Sequence, residues 1–216
     1  MEKYNFGHWS KRITQYLNEE WSKHPSPFVK MVATYIPENA SVLELGTGAG
    51  QDGLWLATKA KNVTLTDGDT VAFDEIAKRA KSMGLKNVEL KTQDLQMPLD
   101  FPDNSFDVVY SQLVIHYFDN PTMERIMSEI YRVLKPGGVI ACMVNSTNDP
   151  EYDAKLAGKD GLINVNGLIK RYFNLETFEQ FTTKYKKLVF DMNGRTPKDD
   201  AVNTSGMVQF IGRKDG

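Results

Sequence analysis

"LELGTGAG", Leu43 to Gly50, sets an acid inside an apolar run and then places three glycines at alternate positions. An apolar run that ends in small residues predicts a buried strand turning directly into a helix. Without a Cβ, glycine lets the turn's backbone come close to a ligand beside the helix N-terminus. Two frames fit the letters. One takes Glu44 with Gly46, Gly48 and Gly50. The other takes Gly48, Gly50 and Gly53, which spell the G-x-G-x-x-G of a dinucleotide site.

Working outward, helix and strand patterns alternate on both sides of the turn. Trp9 to Trp21 carries apolar residues at helical spacing, and Ser26-Pro27 reads as a cap with a first-turn proline. Strands are predicted at Ser41–Leu45, Val63–Asp67, Val88–Lys91, Phe106–Tyr110 and Val139–Asn145. Helices are predicted between them: Gly50–Lys59, one capped by Asp69 and stopped at Gly84, and one capped by Asn120-Pro121 and ending before Pro136. A polar stretch, Ser146 to Gly167, interrupts the alternation. A short helix (Leu175–Thr182) and two strands (Leu188–Met192, Met207–Ile211) follow, joined by a loop containing Gly194 and Pro197. Alternation of this kind implies an α/β, doubly wound, mostly parallel seven-stranded sheet with an antiparallel C-terminal hairpin. The chain divides into a helical leader (1–40), a core (41–145), a possible lid (146–172) and a terminal helix and hairpin (173–216), all in one domain.

In such sheets ligands bind at the carboxyl ends of the strands, where the order reverses. Asp67 ends the second strand, about 20 residues past the turn, where a carboxylate accepts from both ribose hydroxyls. Both frames want that acid. Charge separates them. A dinucleotide would lay a pyrophosphate dianion on the turn, between Glu44 and Asp52, and both would repel it in a low-dielectric cleft. S-adenosylmethionine has no phosphate and carries a net positive charge from its sulfonium and ammonium. Glu44 and Asp52 favour that cation, while backbone N–H groups take its carboxylate. The dinucleotide motif also starts directly after its strand, whereas Gly48 comes later. Asp94, after the third strand, suits an adenine amino group.

Composition narrows the class. The 216 residues are 41% hydrophobic, enough for a sizeable core. Net charge is -2 with no basic face, so no nucleic-acid partner is expected. One cysteine, Cys142, excludes a disulfide framework and a cysteine metal cluster, and no metal is expected. MEKYNFGHWSKR lacks a signal-peptide apolar segment, and no run reaches the ~20 apolar residues of a membrane span. A cytoplasmic protein with no membrane partner is the expectation. Oligomeric state is left open.

From Val42 to Val144 the chain resembles the class I S-adenosylmethionine-dependent methyltransferases, especially the small-molecule "type 11" group. VLELGTGAG is similar to that family's cofactor loop and VTLTD to its second strand. QDLQMPLDFPDNSFDVVYSQLVIHYF is similar to its adenine-loop and fourth-strand stretch, and EIYRVLKPGGVIACMV to its fifth-strand signature. NSTNDPEY and RYFNLETFEQF are more loosely similar to the tail of tellurite-resistance-type methyltransferases. The resemblance implies S-adenosylmethionine as cofactor, with Gly46, Thr47, Gly48 and Gly50 along its methionine part and Glu44 supporting the loop. It also implies Asp67 on the ribose, Asp94 and Leu95 on the adenine, and Ser111 and Gln112 near the sulfonium. Gly68 stands where the family often has a bulky apolar residue against adenine. Leu95 or Val114 would then compensate.

Methyl transfer is an in-line displacement from a sulfonium, so the protein chiefly aligns the acceptor. A base is needed only if the acceptor must lose a proton. His116, after the fourth strand, is the base expected if one is used. Tyr4, Phe6 and Trp9 would either cover the cofactor cleft or form an amphipathic face. Tyr152, Arg171 and Tyr172, from the possible lid, are expected to bind a small-molecule acceptor, which Arg171 would prefer anionic or planar. A nucleic-acid or protein methyltransferase is the second enzyme reading. Modifiers of exocyclic base nitrogens often carry Asn-Pro-Pro-aromatic at the place where this chain reads Ser111-Gln112-Leu113-Val114. A cofactor-binding regulator without catalysis is the non-enzymatic alternative.

Overall fold

The structure, a computed structural model, describes residues 6–158, 161–165, 168–196 and 206–216. Strands β1 (Ser41–Leu45), β2 (Asn62–Asp67), β3 (Val88–Thr92), β4 (Phe106–Gln112), β5 (Leu134–Val144), β8 (Tyr185–Gly194) and β9 (Met207–Lys214) form one sheet. Its order is β3-β2-β1-β4-β5-β9-β8. The first five run parallel, and β9 pairs antiparallel with both β5 and β8. Central strands buried on both faces read as continuous apolar runs, which is why β1 is SVLEL and β5 ends VIACMV.

Two apolar layers sandwich the sheet. On one face α5 (Asn120–Val133) buries Met123, Ile126, Met127, Ile130 and Val133, a helical stripe against Leu43, Val109 and Ile140. α6 (Leu175–Glu179) adds Phe178 to that layer. On the other face, α2 (Pro27–Val32), α3 (Gln51–Ala57) and α4 (Phe73–Ser82) bury Phe28, Leu54 and Ile76 against Val42, Leu65 and Tyr110. α1 (Phe6–Tyr16) rests on this second layer through Ile13.

Several boundaries differ from the sequence expectation, each for a local reason. The leader is not one helix from Trp9 to Trp21. α1 stops at Tyr16, and a 3-10 turn occupies Glu20–Lys23. Asn18 causes the break. Its side-chain amide takes the Thr14 carbonyl at 3.0 Å, and its backbone N–H turns to Gln15 instead. Asp69 does not cap α4, which starts at Phe73. The Asp69 carboxylate accepts instead from Val71 N and from the hydroxyl of Ser10 on α1. The cap of α5 is Asp119 rather than Asn120, with Thr122 N donating to it at 3.0 Å. α6 ends at Glu179, earlier than expected.

The stretch 146–172 holds structure of its own. β6 (Leu162–Val165) and β7 (Leu168–Arg171) form an antiparallel hairpin that packs on the 3-10 turn Ile115–Tyr117. β5 also begins earlier than expected. Leu134 pairs with Phe106, the register then slips, and Val139 pairs with Val108, so Lys135–Gly138 forms an irregularity in which Gly137 adopts φ 76°. Among the described residues, no helix is long and apolar enough to cross a membrane.

Candidate active site

β1 and β4 are neighbours, yet the chain leaves β1 toward β2 and enters β4 from β3. This is the switch point, and a cleft of about 240 Å³ opens there at the carboxyl ends of the strands. The turn after β1 forms its floor. Gly46 N and Thr47 N both donate to the Thr66 carbonyl, at 2.8 and 2.9 Å, tying the turn to β2. Gly46, Gly48 and Gly50 all have positive φ, the region that favours glycine.

Three acids surround the turn. Glu44 is buried and accepts from the Thr47 hydroxyl at 2.6 Å. Burial pushes its carboxyl well above the usual range, and the nearby Asp52 and Asp67 charges push the same way. Asp67 accepts from Gly48 N and Asp69 N, both at 2.9 Å. Its pKa is also raised, chiefly by desolvation, against the pull of those N–H groups. Asp52, on the first turn of α3, is buried but well bonded. Ser26 N, the Ser26 hydroxyl and the Tyr110 hydroxyl reach its carboxylate at 2.7, 2.8 and 2.6 Å.

The opposite wall is the loop after β3. Gln93 closes it, its amide donating to the carbonyls of Asp94 and Pro98 while its oxygen accepts from Asp100 N at 3.0 Å. Asp94 bonds Gln96 N at 2.8 Å. Above the floor stand aromatic side chains. Trp9 and Tyr117 meet edge to face at 4.7 Å, and Tyr16 and Trp21 at 5.1 Å. All four line the cleft, with Phe118 beside them.

Of the residues singled out in the sequence, Glu44, Gly46, Thr47, Gly48, Asp67, Gly68, Asp94, Leu95 and Gln112 line this one cleft. Gly50 lies just outside it as the N-cap of α3, held against Ile76. Ser111 is buried away from the cleft.

The acceptor-side residues lie elsewhere. His116, the base expected from sequence, is fully buried and is not among the residues lining the cleft. Burial, helped by the charge of Lys170, pushes its pKa down to about 3, and the ring packs on Tyr117 at 4.1 Å. Arg171 is 1% exposed, donates to the Asn120 side chain and lies 5.5 Å from the Phe173 ring centre. It is a core cation rather than an acceptor clamp. Tyr172 is buried, bonds Glu151 at 3.3 Å and contacts Tyr152 ring to ring at 5.5 Å, and neither tyrosine lines the cleft. Sequence reasoning gave no role to Ile13, Tyr16 or Trp21, whose helical spacing was the available signal.

Residues 42–138 match the family model described as a methyltransferase domain. The chain is 34% identical over 173 residues to a sterol 24-C-methyltransferase of Pneumocystis carinii, covering 71% of this chain and 45% of that protein. It is 34% identical over 116 residues to a ubiquinone/menaquinone biosynthesis C-methyltransferase of Rickettsia bellii, covering 49% of this chain and 44% of that one. The chain thus spans about half the length of the curated relatives it matches. Its fold superposes on the 1,6-didemethyltoxoflavin-N1-methyltransferase of Burkholderia thailandensis with TM-score 0.71 at 18% identity, covering 97% of this chain and 85% of that one. The matched span begins on β1 and takes in the glycine turn, both acid-bearing strand ends and β4, so residues 42–138 form a methyltransferase domain of the class I S-adenosylmethionine-dependent kind.

Proposed function

We propose that this chain transfers the methyl group of S-adenosylmethionine to a small, neutral acceptor with a flat or apolar body. The observation that carries the reading is one cleft with two unlike walls. The glycine turn, Asp67 and Asp94 form the polar wall, and Trp9, Tyr16, Trp21, Tyr117 and Phe118 form the aromatic one. The polar wall matches the cofactor: the turn for the methionine part, Asp67 for the ribose hydroxyls, Asp94 and Leu95 for the adenine. The aromatic wall matches the acceptor, because rings supply large apolar contact at fixed geometry. No Lys, Arg or His lines the cleft among the described residues, so an anionic acceptor would meet no countercharge. The names of the two curated relatives, for a sterol and for quinones, agree with an apolar ring system.

The chemistry is a displacement at the methyl carbon. The carbon–sulfur bond would break as the bond to the acceptor forms, the sulfonium would leave as a neutral thioether, and the acceptor would lose one proton to water, so that the product is neutral. Alignment of the acceptor with the methyl–sulfur axis is the protein's main contribution, worth several kcal/mol when the pair is held in near-attack geometry. His116 is buried and outside the cleft lining, which does not favour it as the base. The test is an extract assay with labelled S-adenosylmethionine, the labelled product being identified by mass spectrometry. A labelled neutral ring compound is expected. Tight S-adenosylhomocysteine binding with no labelled product would favour a non-catalytic cofactor binder.

A further inference from the structure

Four side chains from three parts of the chain meet at one edge of the cleft: Ser26 before α2, Asp52 on α3, and Tyr110 and Gln112 on β4. Ser26, Asp52 and Tyr110 are buried, and Gln112 lines the cleft. The Ser26 hydroxyl lies 2.8 Å from Asp52 Oδ2 and 2.8 Å from the Gln112 amide atom facing it, which the structure draws as Oε1. The Tyr110 hydroxyl lies 2.6 Å from the same Asp52 oxygen and 2.5 Å from the same Gln112 atom.

Hydrogen counting decides which amide atom that is. If it is Oε1, four close contacts share only the two hydroxyl hydrogens, and two oxygen pairs face each other bare. Protonating Asp52 would add one hydrogen and still leave one pair bare. If it is Nε2, its two hydrogens go to Ser26 and Tyr110, and both hydroxyls then donate to Asp52. Each of the four close contacts then has its hydrogen, leaving only the 3.4 Å approach of the two hydroxyls without one, and Asp52 needs no proton of its own, although burial raises its pKa, with Ser26 N at 2.7 Å on its other oxygen. Ser26 Oγ also accepts from Val29 N at 3.1 Å, which its second lone pair allows. Oxygen and nitrogen of an amide differ only by the network around them. Here the network selects Nε2 inward.

We infer that Gln112 turns its carbonyl oxygen, not its NH2 group, into the cleft, and that this oxygen accepts from the α-ammonium of the bound cofactor. The inference rests on the S-adenosylmethionine reading of the cleft. Among the cofactor's donors, the ribose hydroxyls go to Asp67 and the adenine amino group to Asp94. The ammonium remains, beside the turn and next to the ionised Asp52. Ser26, Asp52 and Tyr110 are positioning residues that hold the amide in this orientation and place a negative charge behind it.

Two measurements test this. In the ligand-free wild type, the Gln112 side-chain NH2 resonances, assigned by their loss in Gln112→Met, should exchange with solvent far more slowly than those of exposed glutamines. Rapid exchange would overturn the orientation without any demand on a variant's folding. By calorimetry, Gln112→Met should bind S-adenosylhomocysteine at least tenfold more weakly. It should bind 5′-methylthioadenosine, which has the adenosine but no ammonium, within twofold of wild type. Equal losses for both ligands, or no loss for either, would overturn the ammonium contact. A wild-type protein that binds neither would instead reject the cofactor reading on which the inference rests.

Discussion

Val114 packs so tightly over Gly46 that a Cβ on the glycine would stand 2.3 Å from Val114 Cγ2 and 2.8 Å from Cγ1. Gly46 also holds φ 73°, so any side chain there is strained as well as crowded. Both residues line the cleft. Gly46→Ala should therefore lower S-adenosylhomocysteine affinity at least tenfold, with a stability loss of about 1–3 kcal/mol by denaturant unfolding. Adding Val114→Ala should recover the steric part and leave the backbone part. Wild-type affinity in the single variant would mean that Val114 moves aside freely.

Asp67 binds two N–H groups of its own chain, Gly48 and Asp69, and lines the cleft beside them. Asp67→Ala removes the proposed ribose acceptor and also loosens the turn. A lost hydrogen bond to a charged group is worth about 1.5–3 kcal/mol, so affinity for S-adenosylhomocysteine should fall roughly ten- to a hundredfold in a folded protein. Circular dichroism with calorimetry on the same sample checks both halves. An unchanged affinity would remove Asp67 from the site.

His116 gives a pH signature. Its pKa is about 3 folded against a usual 6.5, because burial and Lys170 disfavour the charged ring. Between those values the unfolded chain binds more protons than the folded one. Stability therefore falls as pH drops from 6.5 toward 3, by up to about 1.4 kcal/mol per pH unit. His116→Phe should flatten this acid limb relative to wild type. The buried carboxyl of Glu44, raised by desolvation, works in the opposite sense, losing its contribution as pH rises above the unfolded value. Comparing the variant with wild type at each pH cancels that background. Parallel pH curves for the two proteins would show that His116 titrates normally.

Arg171 should matter to the fold and not to the cofactor. Its guanidinium bonds Asn120, the first residue of α5, from β7. Truncation removes a large buried side chain along with that bond. Arg171→Ala should cost about 2–5 kcal/mol of unfolding free energy and leave S-adenosylhomocysteine affinity within about twofold in the folded fraction. A raised acceptor KM with unchanged stability would return Arg171 to the acceptor side.

The polar wall of the cleft was legible because it is local. The turn, its glycines and the acids at the ends of β1 and β2 sit in short windows whose apolar period and punctuation are strong. Gly53, which completed the competing G-x-G-x-x-G frame, has a packing reason: its missing Cβ leaves room for Leu65 and for Glu44, each within 2.3 Å of where it would stand. The aromatic wall was less legible because it is assembled across the chain. Tyr16 and Trp21 showed only helical spacing, Trp9 read equally as a cleft cover or part of an amphipathic face, and the meeting of Trp9 with Tyr117 depends on how α1 docks. Arg171 looked like a free cation because its partner lies 51 residues away in sequence. The β6–β7 hairpin was hidden in a polar stretch. Its strands are four residues each, and Ile163 and Arg171, the buried residues the structure describes in them, lie on opposite faces of the hairpin by its register.

The position of β9 has a consequence for synthesis. Of the strands described, β9 is made last, yet it lies between β5 and β8, which are made before it. While the ribosome works toward residue 214, the outer edge of β5 is bare and β8 has no strand to join. Both are apolar-rich segments with unpaired backbone, the kind of surface on which chains adhere to one another. At roughly 5–20 residues per second the interval from the end of β5 to the end of β9 lasts several seconds. Chaperone dependence should therefore concentrate in that window, and a circular permutant that begins with β9 should shed most of it.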